Sequence, residues 1–148
     1  MRSWIVLWAM VAGIMMAATA FARKEESLDE LIKRAETASP SEQVSLYTEI
    51  AERQLQNAAQ LYDKGNVTEA EAAIADVVTY SGKAHDVALQ SRSKQKNTEI
   101  ALRKMAAKLR DLQRSLALDD QKPVQDAAEH LEKLRTDLLS RMFGKGAK

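Results

Sequence analysis

The sequence has no cysteine, and among its 148 residues it has only two prolines, five glycines, two tryptophans, three tyrosines and two phenylalanines. Without cysteine the chain cannot form a disulfide scaffold, hold zinc or an iron–sulfur cluster through thiolates, use a thiol nucleophile or attach haem covalently. It also lacks the cysteine that carries the acyl chain of a bacterial lipoprotein. The shortage of glycine and proline, together with 29% charged residues, favours helices over sheet. The length is that of one domain.

The first 22 residues have the layout of an export signal. Arg2 precedes an uncharged stretch, residues 4–22, which begins strongly apolar and ends in Ala20-Phe21-Ala22. Signal peptidase requires small side chains at the first and third residues before its cut, so this order predicts a cleaved secretory signal peptide over residues 1–22. An uncleaved membrane anchor is the alternative, because a span needs roughly 20 apolar residues. The sequence therefore predicts Sec-type export to the periplasm or the cell exterior.

Apolar residues recur at spacings of three and four over most of the remaining chain, which predicts helices. A first short helix, residues 27–38, opens with the capping box Ser27 to Glu30. A second helix begins at Ser39-Pro40, and Gly65-Asn66 is expected to end it because both residues tolerate a left-handed backbone. A capping box from Thr68 to Glu71 is predicted to open the third helix.

The stretch from residue 90 to residue 98 is entirely polar but contains neither glycine nor proline. For want of a helix breaker, we expect one long central helix from residue 69 to residue 116, and a joint at residues 90–98 is the alternative. An Asp before Pro123 should begin the final helix. The predicted fold is all-α, an up-down bundle of antiparallel hairpins over residues 23–143 that share the long helix, followed by a disordered tail over residues 144–148.

Residues 51–84 carry an ordered series of small and large side chains, namely Ala58, Leu61, Gly65, Ala70, Ile74 and Val77. In this order the stretch resembles one tetratricopeptide repeat. It departs from that family at Gln54, where the repeat has an aromatic residue, and no second copy follows 34 residues later. The resemblance implies a helical hairpin with a groove for a peptide or protein, whereas a plain antiparallel hairpin is the alternative. The candidate groove or seam residues are Tyr47, Leu55, Ala58, Tyr62, Ala70, Ile74 and Val77.

Residues suited to catalysis are few. The sequence has no glycine-rich phosphate loop and no hydrolase or zinc-protease motif, and it has only two histidines. His85 stands beside Asp86, but adjacent side chains on a helix diverge, so we do not expect them to pair. His130 has Asp126 four residues before it, which is typical of a surface pair. These observations predict a protein that is not an enzyme and has no cofactor.

The charges are segregated along the chain. Residues 23–82 contain six basic and twelve acidic residues, whereas residues 83–116 contain nine basic and three acidic ones. The basic segment is a candidate surface for lipid head groups, cell-wall polymers or an acidic protein, and export argues against nucleic acid. The alternative is that it faces the acidic first helices or is simply solvated. The candidate basic residues are Arg92, Lys94, Lys96, Arg103, Lys104, Lys108 and Arg110.

Taken together, these features predict a non-enzymatic extracytoplasmic protein that binds a protein or peptide partner. Two alternatives remain at this point. One is a small ligand- or metal-binding bundle that uses His85, His130 and the methionines. The other is a self-associating envelope protein in which helices pair as a coiled coil to form a homo-oligomer.

Overall fold

The computed structural model describes residues 25–144, and this range contains helices and no strand. The predicted all-α fold is confirmed. The predicted signal peptide and residues 145–148 of the predicted tail lie outside the described range. The helices are α1 (Leu28–Thr37), α2 (Pro40–Asp63), α3 (Val67–Ser91), α4 (Gln95–Ser115) and α5 (Gln121–Phe143), with a short 3₁₀ turn, Leu118–Asp120, before the last.

Two local sequence signals produce the expected helix ends. At the start of α1 the Ser27 hydroxyl accepts from the Glu30 N–H at 3.2 Å, and the Ser27 N–H donates to the Glu30 carboxylate at 3.0 Å. At the end of α2 the N–H of Gly65 donates to the Tyr62 carbonyl and that of Asn66 to the Leu61 carbonyl, which is a Schellman motif. Gly65 has a φ of 78°, where glycine is favoured. This motif reverses the chain and makes α3 antiparallel to α2.

The capping box predicted from Thr68 to Glu71 does not form. The third helix begins at Val67, so Thr68 already lies inside its first turn, and Asn66 occupies the N-cap position without a side-chain hydrogen bond. The Schellman motif explains this, because it places Asn66 immediately after the reversal and the next helix starts at once.

The prediction of one long central helix is wrong, and the chain instead has a joint. The third helix ends at Ser91 and α4 begins at Gln95, with Arg92 and Lys94 both in the left-handed region at a φ of 52°. That conformation costs roughly 1–2 kcal/mol for each non-glycine residue. A continuous helix would leave this polar stretch without an apolar face to bury, whereas the reversal returns α4 to the bundle. Burial of the α4 stripe therefore outweighs the backbone strain.

Replacing Arg92 with glycine is expected to stabilise the protein by roughly 1 kcal/mol, because glycine adopts the left-handed conformation without the steric cost. The matched control is Arg103→Gly, since Arg103 is also exposed but lies inside α4, where glycine should cost roughly 1 kcal/mol. Urea denaturation of both variants would measure the difference. Equal destabilisation by the two glycines would contradict the joint.

The helices form two antiparallel hairpins, α2 with α3 and α4 with α5. The two hairpins lie side by side, with α2 parallel to α4 and α3 parallel to α5. Near the start of the first pair Lys94 donates to the Ser45 hydroxyl, and near the end of the second pair His85 contacts the Asp137 carboxylate. The main core lies between the hairpins and contains Leu55, Ile74, Val77, Leu102, Met105, Leu109, Val124, Leu131 and Leu138.

The first helix packs outside this bundle, on α2 and α3. Its Leu31 and Ala35 are fully buried and join Leu46, Tyr47 and Ile50 of α2 in a second, smaller cluster. Gln43 donates to the Ala35 carbonyl at 3.0 Å, which satisfies a backbone group at the end of α1. The acidic N-terminal part of the described chain is thereby fixed on the side of the bundle that α2 occupies.

Candidate binding groove

A long groove runs between α2 and α4 on the surface of the bundle. Its main part has a volume of about 610 Å³, and a second hollow of about 350 Å³ continues it toward the start of both helices. Glu49 and Glu52 line both parts. The groove follows the line where α2 and α4 run side by side, and residues of both helices line it.

The floor of the groove is apolar. Leu55 of α2 and Met105 of α4 line it from below and are only 5% and 2% exposed. Ala59 and Leu112 also line it, and both are partly exposed. A side chain entering the groove would therefore meet a short apolar surface above a well-packed core.

The walls of the groove carry charge, and the α2 wall is acidic. Glu52 and Asp63 are exposed there, and neither has a hydrogen-bond or ion-pair partner among the described residues. Arg53 already has partners, since it donates to the Glu49 carboxylate and to the carbonyl of Glu26, which lies before α1, both at 2.6 Å.

The α4 wall is nearly balanced. Lys108 lines it and has no ion-pair partner within residues 25–144, while Asp111 pairs with Arg114. In the main part of the groove two unpartnered carboxylates thus face one unpartnered ammonium group across the floor, which gives this part an excess of negative charge.

The seven candidate groove or seam residues are all buried, and of these Leu55 lines the groove. Tyr47 belongs to the cluster around α1, and the other five lie in the main core. The Tyr62 hydroxyl has no partner among the described residues, and burial, followed by the nearby Glu71 and Asp120, raises the pKa of its phenol. Six of the seven residues thus pack in the core that the two hairpins share and Tyr47 packs around α1, whereas the exposed side chains of the α2–α4 groove are open to solvent.

The seven candidate basic residues are all exposed. Lys108 lines the main groove, and Lys94 lines the smaller hollow, where its ammonium group donates to the Ser45 hydroxyl. Arg110 turns toward α5, where it pairs with Glu132 at 3.3 Å. In residues 25–144 no ion pair joins α4 to α2, so the two oppositely charged helices lie side by side without neutralising each other.

His85 is buried, and each of its two ring nitrogens contacts a carboxylate, which the sequence did not indicate. It is 6% exposed, its Nδ1 lies 2.9 Å from an Asp86 oxygen, and its Nε2 lies 3.0 Å from an Asp137 oxygen. The expectation that His85 and Asp86 do not pair is wrong: Nδ1 is close to the backbone, so a short neighbouring carboxylate can reach it. Because carboxylates only accept, both contacts are hydrogen bonds when the ring carries two N–H groups.

The second histidine lies apart from this network, since His130 is exposed on α5. Within the described part of the chain, no group of three or more histidine, cysteine, aspartate or glutamate side chains is arranged to hold a metal ion. No helix between residues 25 and 144 is both long and apolar enough to cross a membrane.

Comparison of the chain with protein-family models, curated proteins and solved structures finds no match.

Proposed function

We propose that this is a non-enzymatic extracytoplasmic protein that holds a segment of a protein partner in the groove between α2 and α4. The observation that carries the proposal is the groove: it is apolar at its floor, polar at its walls and open along both helices. Recognition of a helix in a groove uses this combination, because apolar anchors enter the floor while polar residues at the edges fix orientation.

The dimensions of the groove fit a peptide. The two hollows extend along α2 from Val44 to Asp63, and at 1.5 Å per residue this is about 30 Å. A helix of five or six turns has the same length. A small ligand would instead be expected to have most of its surface enclosed, and the exposed walls of this groove favour a longer occupant.

The stacking of the hairpins also supports a scaffold role. Helical-repeat proteins stack helix pairs so that each contacts its neighbours and the exposed side becomes a binding surface. The parallel arrangement of α2 with α4, and of α3 with α5, is compatible with the resemblance of residues 51–84 to a tetratricopeptide repeat. Extracytoplasmic location remains a prediction from residues 1–22.

Self-association as a coiled coil has less support. Among the described residues the large exposed hydrophobic side chains are Leu118 and Phe143, which are 84% and 73% exposed. Leu118 lies in the 3₁₀ turn before α5 and Phe143 is the last residue of α5, so they form no continuous apolar seam of the kind that pairs helices. Association of copies of this chain remains a prediction from the sequence.

A photo-crosslinking amino acid placed at Gln56 tests the proposal, because Gln56 is exposed and lines the groove. We expect it to form an adduct with one identifiable envelope protein in intact cells. The matched control is the same amino acid at Gln90, which is exposed near the end of α3. Ala59→Trp should abolish the adduct by filling the floor. Equal adducts from both positions, or none from Gln56, would contradict the proposal.

A further inference from the structure

We infer that the occupant of the α2–α4 groove is a cationic amphipathic helix, with two basic side chains about three turns apart and apolar residues between them. The inference rests on the proposed function and adds the chemistry of the partner. It follows from the placement of two carboxylates and the apolar floor that separates them.

The two carboxylates have a defined spacing. Glu52 and Asp63 lie eleven residues apart on α2, which is three turns and about 16 Å along one side of the helix. Both are exposed, and both lack a partner among the described residues. A helix lying along α2 repeats this spacing, because residues eleven apart return to nearly the same face.

The apolar part of the floor lies between these charges. Ala59 of α2 lies between Glu52 and Asp63 in the chain, and Leu112 lines the same part of the groove from α4. Basic residues at positions i and i+11 of the occupant would therefore flank apolar residues near i+4 and i+7. Such an occupant buries its apolar face on the floor while its basic ends reach the free carboxylates.

The remaining charges of the main part of the groove do not cancel this preference. Arg53 is occupied by Glu49 and by a backbone carbonyl, and Asp111 is paired with Arg114. Lys108 is thus the one cation lining the main groove that has no partner within residues 25–144, and it opposes two carboxylates. An acidic occupant would meet repulsion along the whole α2 wall, so the charge pattern favours a basic one.

Two synthetic 18-residue helical peptides test the inference. Both carry the same leucine stripe, and one has lysine at positions i and i+11 where the other has glutamate. We expect the lysine peptide to bind the wild-type protein in fluorescence anisotropy and the glutamate peptide to bind at least roughly tenfold more weakly, with the difference shrinking at high salt. Equal or better binding of the glutamate peptide, or binding of neither, would overturn the inference.

Variants of the protein locate the effect. Glu52→Lys combined with Asp63→Lys should weaken the lysine peptide roughly tenfold, whereas Lys108→Glu should leave its binding unchanged or tighten it. The control is Glu36→Lys combined with Glu71→Lys, which makes the same change in net charge at exposed residues outside the groove. Equal weakening by this control would overturn the inference.

The two proposals can fail separately. If the two peptides bind the wild-type protein with equal affinity and Ala59→Trp abolishes the binding of both, the groove binds helices and the preference for cations is wrong. If the lysine peptide binds and Ala59→Trp has no effect, binding occurs outside the groove, and both the inference and the groove as its site are contradicted.

Discussion

Replacing Leu131 with alanine is expected to lower the free energy of unfolding by about 3–4 kcal/mol. Leu131 lies in the middle of α5, is fully buried and belongs to the main core between the two hairpins. The substitution removes apolar atoms from a packed site and leaves a cavity that rigid neighbouring helices fill only in part, and each effect is destabilising. Urea denaturation followed by far-ultraviolet circular dichroism would measure the loss, because the described chain is helical almost throughout.

The chain offers a matched control in Leu118, which is 84% exposed just before α5. Leu118→Ala should change stability by less than about 0.5 kcal/mol, since no packing contact is lost. The loss at Leu131 is a large fraction of the roughly 5–15 kcal/mol that stabilises a domain of this kind. A loss below about 1 kcal/mol would mean that Leu131 is not packed in the core between the hairpins in this way.

Signals confined to a few neighbouring residues were sufficient to predict parts of this fold. The capping box at Ser27 and the chain reversal at Gly65 depend on hydrogen bonds within six residues, and both form as predicted. The break at Arg92–Lys94 could not be predicted in this way, because neither residue is a helix breaker. It is decided by the burial of α4 against the rest of the bundle, which outweighs the cost of two left-handed residues.

The groove was beyond sequence analysis for a similar reason. Glu52, Ala59 and Leu112 become one surface only when α2 and α4 lie side by side, and that neighbour relation follows from the unexpected joint. The candidate groove residues of the sequence, such as Leu55 and Ile74, have the strongest helical periodicity, and strong periodicity marks the buried face. The residues flanking that stripe, which a partner would touch, carry no comparable signal.

Replacing His85 with alanine is expected to cost about 2 kcal/mol of stability, the second largest effect we predict. The imidazole is almost fully buried, and its Nε2 contact with Asp137 joins α3 to α5, 52 residues apart in the chain. Hydrogen bonds to charged groups contribute about 1.5–3 kcal/mol each, and truncation also removes the packing of the ring. The exposure of both carboxylates to solvent keeps the expected loss below that of a fully buried ion pair.

His130→Ala is the control for this prediction, because His130 is exposed on α5 and its removal should change stability by less than about 0.5 kcal/mol. Acid titration supplies a second readout. Hydrogen bonds from Arg141, with a smaller contribution from His85, hold the pKa of the Asp137 carboxyl below its ordinary value of 3.8, against the raising effect of burial. A lowered pKa stabilises the fold above about pH 4, and this stabilisation is lost as the pH falls through the folded-state pKa. Asp137→Asn removes the titrating group, so its stability should fall less steeply than that of the wild type below pH 4, and an unchanged acid slope would show that the Asp137 carboxylate does not stabilise the fold.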